Sequence, residues 1–166
     1  AQCELGRVYC YGVGVIEDRS KAFEWYQRAA NQGHADGQYR LGEMYYNGYG
    51  IAEDKSRALE WYQRAADKGH GGAQNNAGNM FYFGDGVAKD YTKAVDWFQR
   101  AAYQGRCDAR YKLGDIYYHG YGVRQNYFKA TAWYQDAAHE GHAGAQCRLG
   151  DIYYNGHGMI QDHLKA

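Results

Sequence analysis

Small and apolar positions along this chain fall into two alternating stripes, each with the 3.6-residue period of an amphipathic helix. In residues 35–47 (ADGQYRLGEMYYN) the stripe is Gly37, Leu41, Met44 and Tyr45; we name this predicted element helix A. In residues 55–68 (KSRALEWYQRAADK) Ala58, Trp61, Tyr62, Ala65 and Ala66 stand at i, i+3, i+4, i+7 and i+8, which defines helix B. The punctuation agrees with both. Asp18, Asp54, Asp90, Asn126 and Asp162 precede each B stripe, where a side-chain oxygen can accept from the free N–H groups of a helix start. Gly33, Gly69, Gly105 and Gly141 follow each B stripe, as expected of residues that end a helix in the left-handed conformation. Paired glycines, Gly12/Gly14, Gly48/Gly50, Gly84/Gly86, Gly120/Gly122 and Gly156/Gly158, predict the tight turn from A to B.

The stripes repeat with a fixed period. Gly6, Gly42, Gly78, Gly114 and Gly150 are 36 positions apart, as are Trp25, Trp61, Trp97 and Trp133, and Ala22, Ala58, Ala94, Ala130 and Ala166. This gives about four and a half uninterrupted copies. A lone helix pair cannot bury its stripe, so copies must stack on one another. The expected fold class is all-α, an α/α superhelical solenoid of helix-turn-helix repeats forming one domain over residues 1–166, with both ends falling inside a repeat. Glycine at the Gly42 position is expected to admit a neighbouring backbone, and Ala65 and Ala66 to receive the large Trp61 ring.

Composition narrows the function. Lys plus Arg and Asp plus Glu number 19 each, so no net charge draws the chain to nucleic acid or an anionic membrane. No apolar run approaches the roughly 20 residues that span a bilayer, and no targeting segment opens the chain; a soluble protein of undefined compartment is expected. With 19 Tyr among 166 residues and a mean hydropathy of −0.81, tyrosine must both pack and face water.

The run LGEMYYNGYGIAEDKSRALEWYQRAADKGH closely resembles the Sel-one-like repeat, a relative of the tetratricopeptide repeat. The resemblance rests on the LG pair, the Y-Y-x-G-x-G-V/I run, the D-x-x-[KR]-A cap and the W-[YF]-x-x-A-A-x-x-G run, and it covers essentially the whole chain. LG recurs at Leu5/Gly6, Leu41/Gly42, Leu113/Gly114 and Leu149/Gly150; the third copy has Ala77/Gly78. The resemblance implies an adaptor in multiprotein complexes and leaves the partner open.

In the tetratricopeptide architecture helix A lines the concave groove, which directs attention to the outward positions of helix A. In the second copy these are Tyr39, Glu43 and Tyr46, beside Asp36 and Asn47. Later copies offer Asn79, Tyr82 and Phe83 with Asn75, then Tyr111, Asp115, Tyr118 and His119, then Asp151 and Tyr154 with Cys147 and Asn155. Two ladders are expected, an aromatic one (Tyr46, Tyr82, Tyr118, Tyr154) and a mostly acidic one (Glu43, Asn79, Asp115, Asp151). Together they suit an extended peptide with basic Arg or Lys side chains, or a glycan, unless the rings only pack between A helices.

Other chemistry is not supported by the pattern. His34, His70 and His142 share a repeat position, yet neighbouring helices pack roughly 8–10 Å apart while zinc ligands converge within about 2.1 Å of one ion; Arg106 also breaks the column. No metal or other cofactor is expected. A cysteine-rich branch of the family staples helix A to helix B in each copy, a pattern that Cys3, Cys10, Cys107 and Cys147 do not follow. Cys3 and Cys10 lie about 10 Å apart along one helix, beyond disulfide reach, so reduced thiols are expected. The Gly-x-Gly loops follow a helix and lack the Lys-Ser/Thr of a phosphate cradle, and no nucleophile-base set recurs at converging positions. The expectation is a non-catalytic scaffold binding protein or peptide, with a carbohydrate-binding module or a structural spacer as alternatives.

Overall fold

The structure, a computed structural model, describes residues 1–156. The cap expected at Asp162, the turn glycine Gly158, and the last helix B turn over His163–Ala166 lie outside the described residues. Within them are nine α-helices and no strand. They fall into two compact units, one from Ala1 to Lys89 and one from Asp90 onward.

The first unit contains α1 (Gln2–Tyr11), α2 (Arg19–Asn31), α3 (Ala35–Asn47), α4 (Lys55–Asp67) and α5 (Gly71–Phe83), each packed on the next. Odd-numbered helices are the A helices and even-numbered ones the B helices. The predicted caps form: Asp18 and Asp54 each accept from a backbone N–H three residues on, Lys21 and Arg57, at 2.9 Å. Helix B ends where glycine makes ending cheap. Gly33 has φ 81°, its N–H donates to Ala30, and the His34 N–H reaches back to Ala29, a Schellman closure that satisfies two orphan carbonyls. The A-to-B turn is closed by the N–H of the capping aspartate itself: Asp18 donates to Tyr9 and Asp54 to Tyr45.

The glycine notch of helix A, expected to admit a neighbouring backbone, takes a tyrosine ring as well. A Cβ on Gly42 would lie 2.7 Å from the Tyr62 ring, and one on Gly6 would lie 2.6 Å from Tyr26. Both tyrosines are buried. The tryptophans sit half-buried one position earlier in each helix, with an arginine one turn on laid over the ring: Arg28 over Trp25 and Arg64 over Trp61. The inner slot needs a six-membered ring rather than a hydroxyl, since Phe98 stands at this position in the third copy and is fully buried; where tyrosine stands there, its hydroxyl can also reach a polar partner.

The second unit contains α6 (Tyr91–Tyr103), α7 (Cys107–His119), α8 (Tyr127–His139) and α9 (Ala143–Asn155), again packed in sequence order. Asp90 and Asn126 cap α6 and α8 through the N–H groups of Lys93 and Lys129. Gly114 receives Tyr134 more tightly than any notch in the first unit, at 2.5 Å from a built Cβ. One device recurs in both units. The side chains of Gln38, Gln74, Arg110 and Gln146 each donate to the carbonyl eight residues earlier, Ala30, Ala66, Ala102 and Ala138, tying each A helix to the end of the preceding B helix.

Among the described residues no helix is long and apolar enough to cross a membrane.

Candidate ligand face of the A helices

The outward residues of α3 are only half free. Tyr39 stacks on His70 with ring centroids 4.4 Å apart, and Tyr111 stacks on His142 in the same way. Each histidine is itself a helix cap. Its Nδ1 accepts the backbone N–H of Ala73 or Ala145 at 3.1 Å, which puts the ring proton on Nε2, turned toward Asp36 or Asp108 at just under 4 Å. Burial holds His70 below its ordinary value. The shared histidine position is therefore a structural clamp between consecutive copies. His34 caps α3 without a side-chain bond, and the residue that would stack on it is Cys3.

The aromatic ladder is spent unevenly. Tyr46 donates its hydroxyl to Asp85 at 2.5 Å, and Lys55 pairs with the same carboxylate at 2.7 Å. These two partners, Lys55 first, hold Asp85 below the usual carboxylate range. Tyr82 meets Phe83 edge-on, and Tyr118 meets both His119 and Tyr127. Phe83 and Tyr154 remain exposed, at 57% and 60%. The acidic ladder differs more from expectation. Asp115 is only 7% exposed; it accepts from the buried Tyr134 hydroxyl at 2.8 Å and faces Arg148 at 3.7 Å. Burial, reinforced by this carboxylate, pushes the Tyr134 phenol far above its ordinary value. Glu43 pairs with Arg40 at 2.9 Å, and Asp151 with Arg148 at 3.8 Å. Each carboxylate of the row thus has an arginine beside it. Asn79, in the same row, is left with a buried Oδ1 that has no hydrogen-bond partner among the described residues.

In the first unit a recess lies between each pair of consecutive A helices. Between α3 and α5 it is walled by Tyr46, Asn47, Tyr62, Asn76, Asn79 and Met80, with Glu43, and holds about 200 Å³. The equivalent between α1 and α3 is walled by Cys10, Tyr11, Tyr26, Arg40, Glu43 and Met44, and extends to Glu17, Arg19, Asn47 and Tyr49. It holds about 440 Å³.

The Sel1 repeat family matches this chain five times, over residues 1–34, 35–70, 72–105, 107–142 and 143–166. The chain belongs to the Sel1 repeat family. Its backbone is that of a Sel1-like repeat solenoid. It superposes with a TM-score of 0.94 on c5321, a protective antigen of uropathogenic Escherichia coli strains displaying this fold, at 40% identity over 96% of this chain and 34% of that one. A Sel1 repeat protein from Oxalobacter formigenes gives a TM-score of 0.90 at 35% identity, covering 99% of this chain and 67% of the other. An immunity protein from Pseudomonas aeruginosa, Pa5087, is more distant, with a TM-score of 0.59 at 26% identity over 92% of this chain and 56% of that one. The chain thus spans about a third of c5321 and two thirds of the Oxalobacter protein. No curated protein matches at a significant level. Sel1 repeat proteins generally serve as non-catalytic scaffolds that bind other proteins.

Several residues that shape this Sel1 face escape a reading of helix A alone. Asp85 lies in the turn after α5, Lys55 opens α4, and His70 and His142 precede an A helix. A signal for them exists in the differences between copies. Tyr39 precedes His70 by 31 positions and Tyr111 precedes His142 by 31, whereas the same offset gives Cys3 with His34 and Asn75 with Arg106. The capping and stacking pair is present or absent as a unit.

Proposed function

We propose that this Sel1 repeat array is a non-catalytic adaptor whose A helices bind an extended peptide segment of a partner protein. The observation that carries the reading is the mixture that the A helices of each unit present: exposed Phe83, half-exposed Tyr39, Tyr46 and Tyr82 and the unsatisfied acceptor of Asn79 in the first, and exposed Tyr154 with half-exposed Tyr111 and Tyr118 in the second. Aromatic rings present large contact area at low entropic cost, and a buried acceptor without a donor gains when a ligand N–H supplies one. The carboxylates contribute less than their number suggests, since arginines already face them. Recognition therefore rests more on rings and hydrogen bonds than on a basic ligand. The Pa5087 relative is named as an immunity protein, which is consistent with a scaffold that acts by engaging another protein.

The test is selection from a displayed random-peptide library, followed by titration of the enriched peptides against Phe83→Ala and Tyr154→Ala. Both side chains are exposed, so far-UV circular dichroism should be unchanged while affinity falls about 10-fold or more, the scale of an aromatic contact residue. Enriched peptides that bind both variants as tightly as the parent would move the site off the A helices, and enrichment on a glycan array instead would replace the peptide with a sugar.

A further inference from the structure

The two recesses differ at several wall positions: Tyr11, Arg40 and Glu43 stand where the second has Asn47, Asn76 and Asn79, and only at Cys10 does the first recess carry the smaller side chain. At the position where Tyr46, Tyr82, Tyr118 and Tyr154 stand in later copies, the first copy has Cys10. The Tyr46 ring lies 6.4 Å from that of Tyr62, and Cys10 packs in the corresponding place, against the cluster that contains Tyr26 and Met44. A thiol fills far less of that place than a phenol. The recess accordingly holds about 440 Å³ where its counterpart holds about 200 Å³. Only the larger value falls within the range of roughly 300–1,000 Å³ seen for ligand pockets.

We propose that the recess between the first two copies is an anchor pocket for a tyrosine side chain of the bound peptide, which takes the place that the ladder tyrosine occupies in the later copies.

Three features select that occupant. The wall is aromatic and soft, with Tyr26, Tyr49 and Met44 around the opening, surfaces that favour offset or edge-on ring contacts and sulfur-aromatic contacts. The charges balance: Arg19 is paired with Glu17 at 2.7 Å and Arg40 with Glu43 at 2.9 Å, so two guanidinium groups and two carboxylates give no net pull on an ion. A neutral ring with one polar tip suits such a wall, and each carboxylate keeps free lone pairs for a phenolic O–H. In the neighbouring copy a phenol likewise donates to an ion-paired carboxylate, Tyr46 to the Lys55-paired Asp85; here Tyr49 stands at the Asp85 position, and the paired carboxylates on offer are Glu17 and Glu43. Burial also lifts the Cys10 thiol above its ordinary value, which keeps this part of the wall uncharged near neutral pH.

This pocket rests on the peptide reading above, and its test is independent of any particular peptide. The probe is p-cresol, the tyrosine side chain as a free molecule, titrated into the whole chain and followed by the Met44 methyl resonance. A saturable shift is expected with a dissociation constant on the order of 1 mM, the scale of a fragment of this size, together with ring-to-methyl nuclear Overhauser contacts at Met44. Cys10→Tyr, which closes the recess as the other copies do, should weaken binding by about 10-fold or more, whereas Cys10→Ala should bind as the parent does. Cys10→Phe serves as a second closing variant if Cys10→Tyr does not fold. Absence of contacts at Met44, or undiminished binding by both closing variants, overturns the pocket without touching the peptide-library result. Cresol binding lost on closure supports the pocket even where the library yields nothing, an outcome that would sink only the wider peptide reading.

Discussion

Replacing Gly114 by alanine adds one methyl group where a helix A glycine is pressed against the buried ring of Tyr134. Its Cβ would lie 2.5 Å from both Cδ1 and Cε1 of Tyr134 and 3.0 Å from Cγ, against an ordinary carbon contact of about 3.5–4.0 Å. The ring must retreat by about 1 Å, and it is not a loose end. Tyr134 is fully buried, and its hydroxyl is one of the groups that satisfies the buried Asp115 carboxylate. Overpacking of this kind costs about 2 kcal/mol. Stretching the Tyr134 bond and leaving a carboxylate short of a donor adds about 2 kcal/mol, while exchanging Gly for Ala inside a helix returns about 1 kcal/mol. The net expectation is a loss of about 3 kcal/mol, seen as a fall of about 6–12 °C in the thermal midpoint or a lower urea midpoint at unchanged m. A double-mutant cycle isolates the cause. With Tyr134→Leu as the second change, the clash and the bond to Asp115 are both already gone, so Gly114→Ala should cost little or stabilise in that background. The two changes should therefore be non-additive by about 2 kcal/mol or more. Additivity within about 0.5 kcal/mol would show that the notch is not what the ring depends on, and the argument for a ring in the inner slot would fail with it.

Two further predictions concern pH and complete the set with the groove and pocket tests above. Asp85 is held below its usual range in the folded chain, so its contribution is full above the unfolded value near 3.9 and is lost as pH falls through its lower folded value. Asp85→Asn should cost on the order of 1 kcal/mol at pH 7 through the weakened Tyr46 bond and flatten the acid limb of a stability-versus-pH curve; an unchanged limb would refute the role given to this carboxylate. His70 is likewise depressed, and protonating Nδ1 also destroys its cap. Its contribution is full above the unfolded value near 6.5 and is lost as pH drops through the folded one. His70→Ala should cost about 1 kcal/mol at pH 8, while His70→Asn should keep the cap and remove this slope, with the proton titration of the His70 ring read by NMR as the check.

The fold was legible because its determinants repeat. Caps at Asp18, Asp54, Asp90 and Asn126 and the left-handed glycines after each B helix recur at fixed spacing, and each acts over a few residues, so one local rule applied repeatedly recovers the elements. What a helical wheel could not give was depth. Asp115 and Asp151 occupy the same helix position, yet one is buried beneath Arg148 and Tyr134 and the other exposed beside Arg148. The groups that bury Asp115 come from other elements, Tyr134 of α8 and Arg148 of α9, which the wheel of α7 does not contain. The ring that enters the glycine notch was out of reach for a related reason: Trp61 and Tyr62 lie on the same stripe, and how deep each sits is set by the helices packed around it. The clamp of Tyr39 with His70 was visible only by comparing copies for what changes together.

The contact between consecutive copies at the turn after helix A bears on how such an array can change over evolutionary time. The second turn glycine lets the loop touch the first residue of the previous B helix: Gly50 meets Arg19, Gly86 meets Lys55 and Gly122 meets Tyr91. The residue between the paired glycines then completes a contact: Arg19 lies over Tyr49, Lys55 pairs with Asp85, and Tyr91 stacks on Tyr121. Any of the three helix residues would also be compatible with any of the three loop residues, since arginine or lysine suits a ring or a carboxylate, and tyrosine suits a ring or an acceptor. No exchange sets like charges face to face. Unequal recombination that removes, adds or shuffles a whole repeat at these three joints therefore meets a compatible pair, which leaves the outward side chains of the A helices free to diversify copy by copy while the frame stays intact.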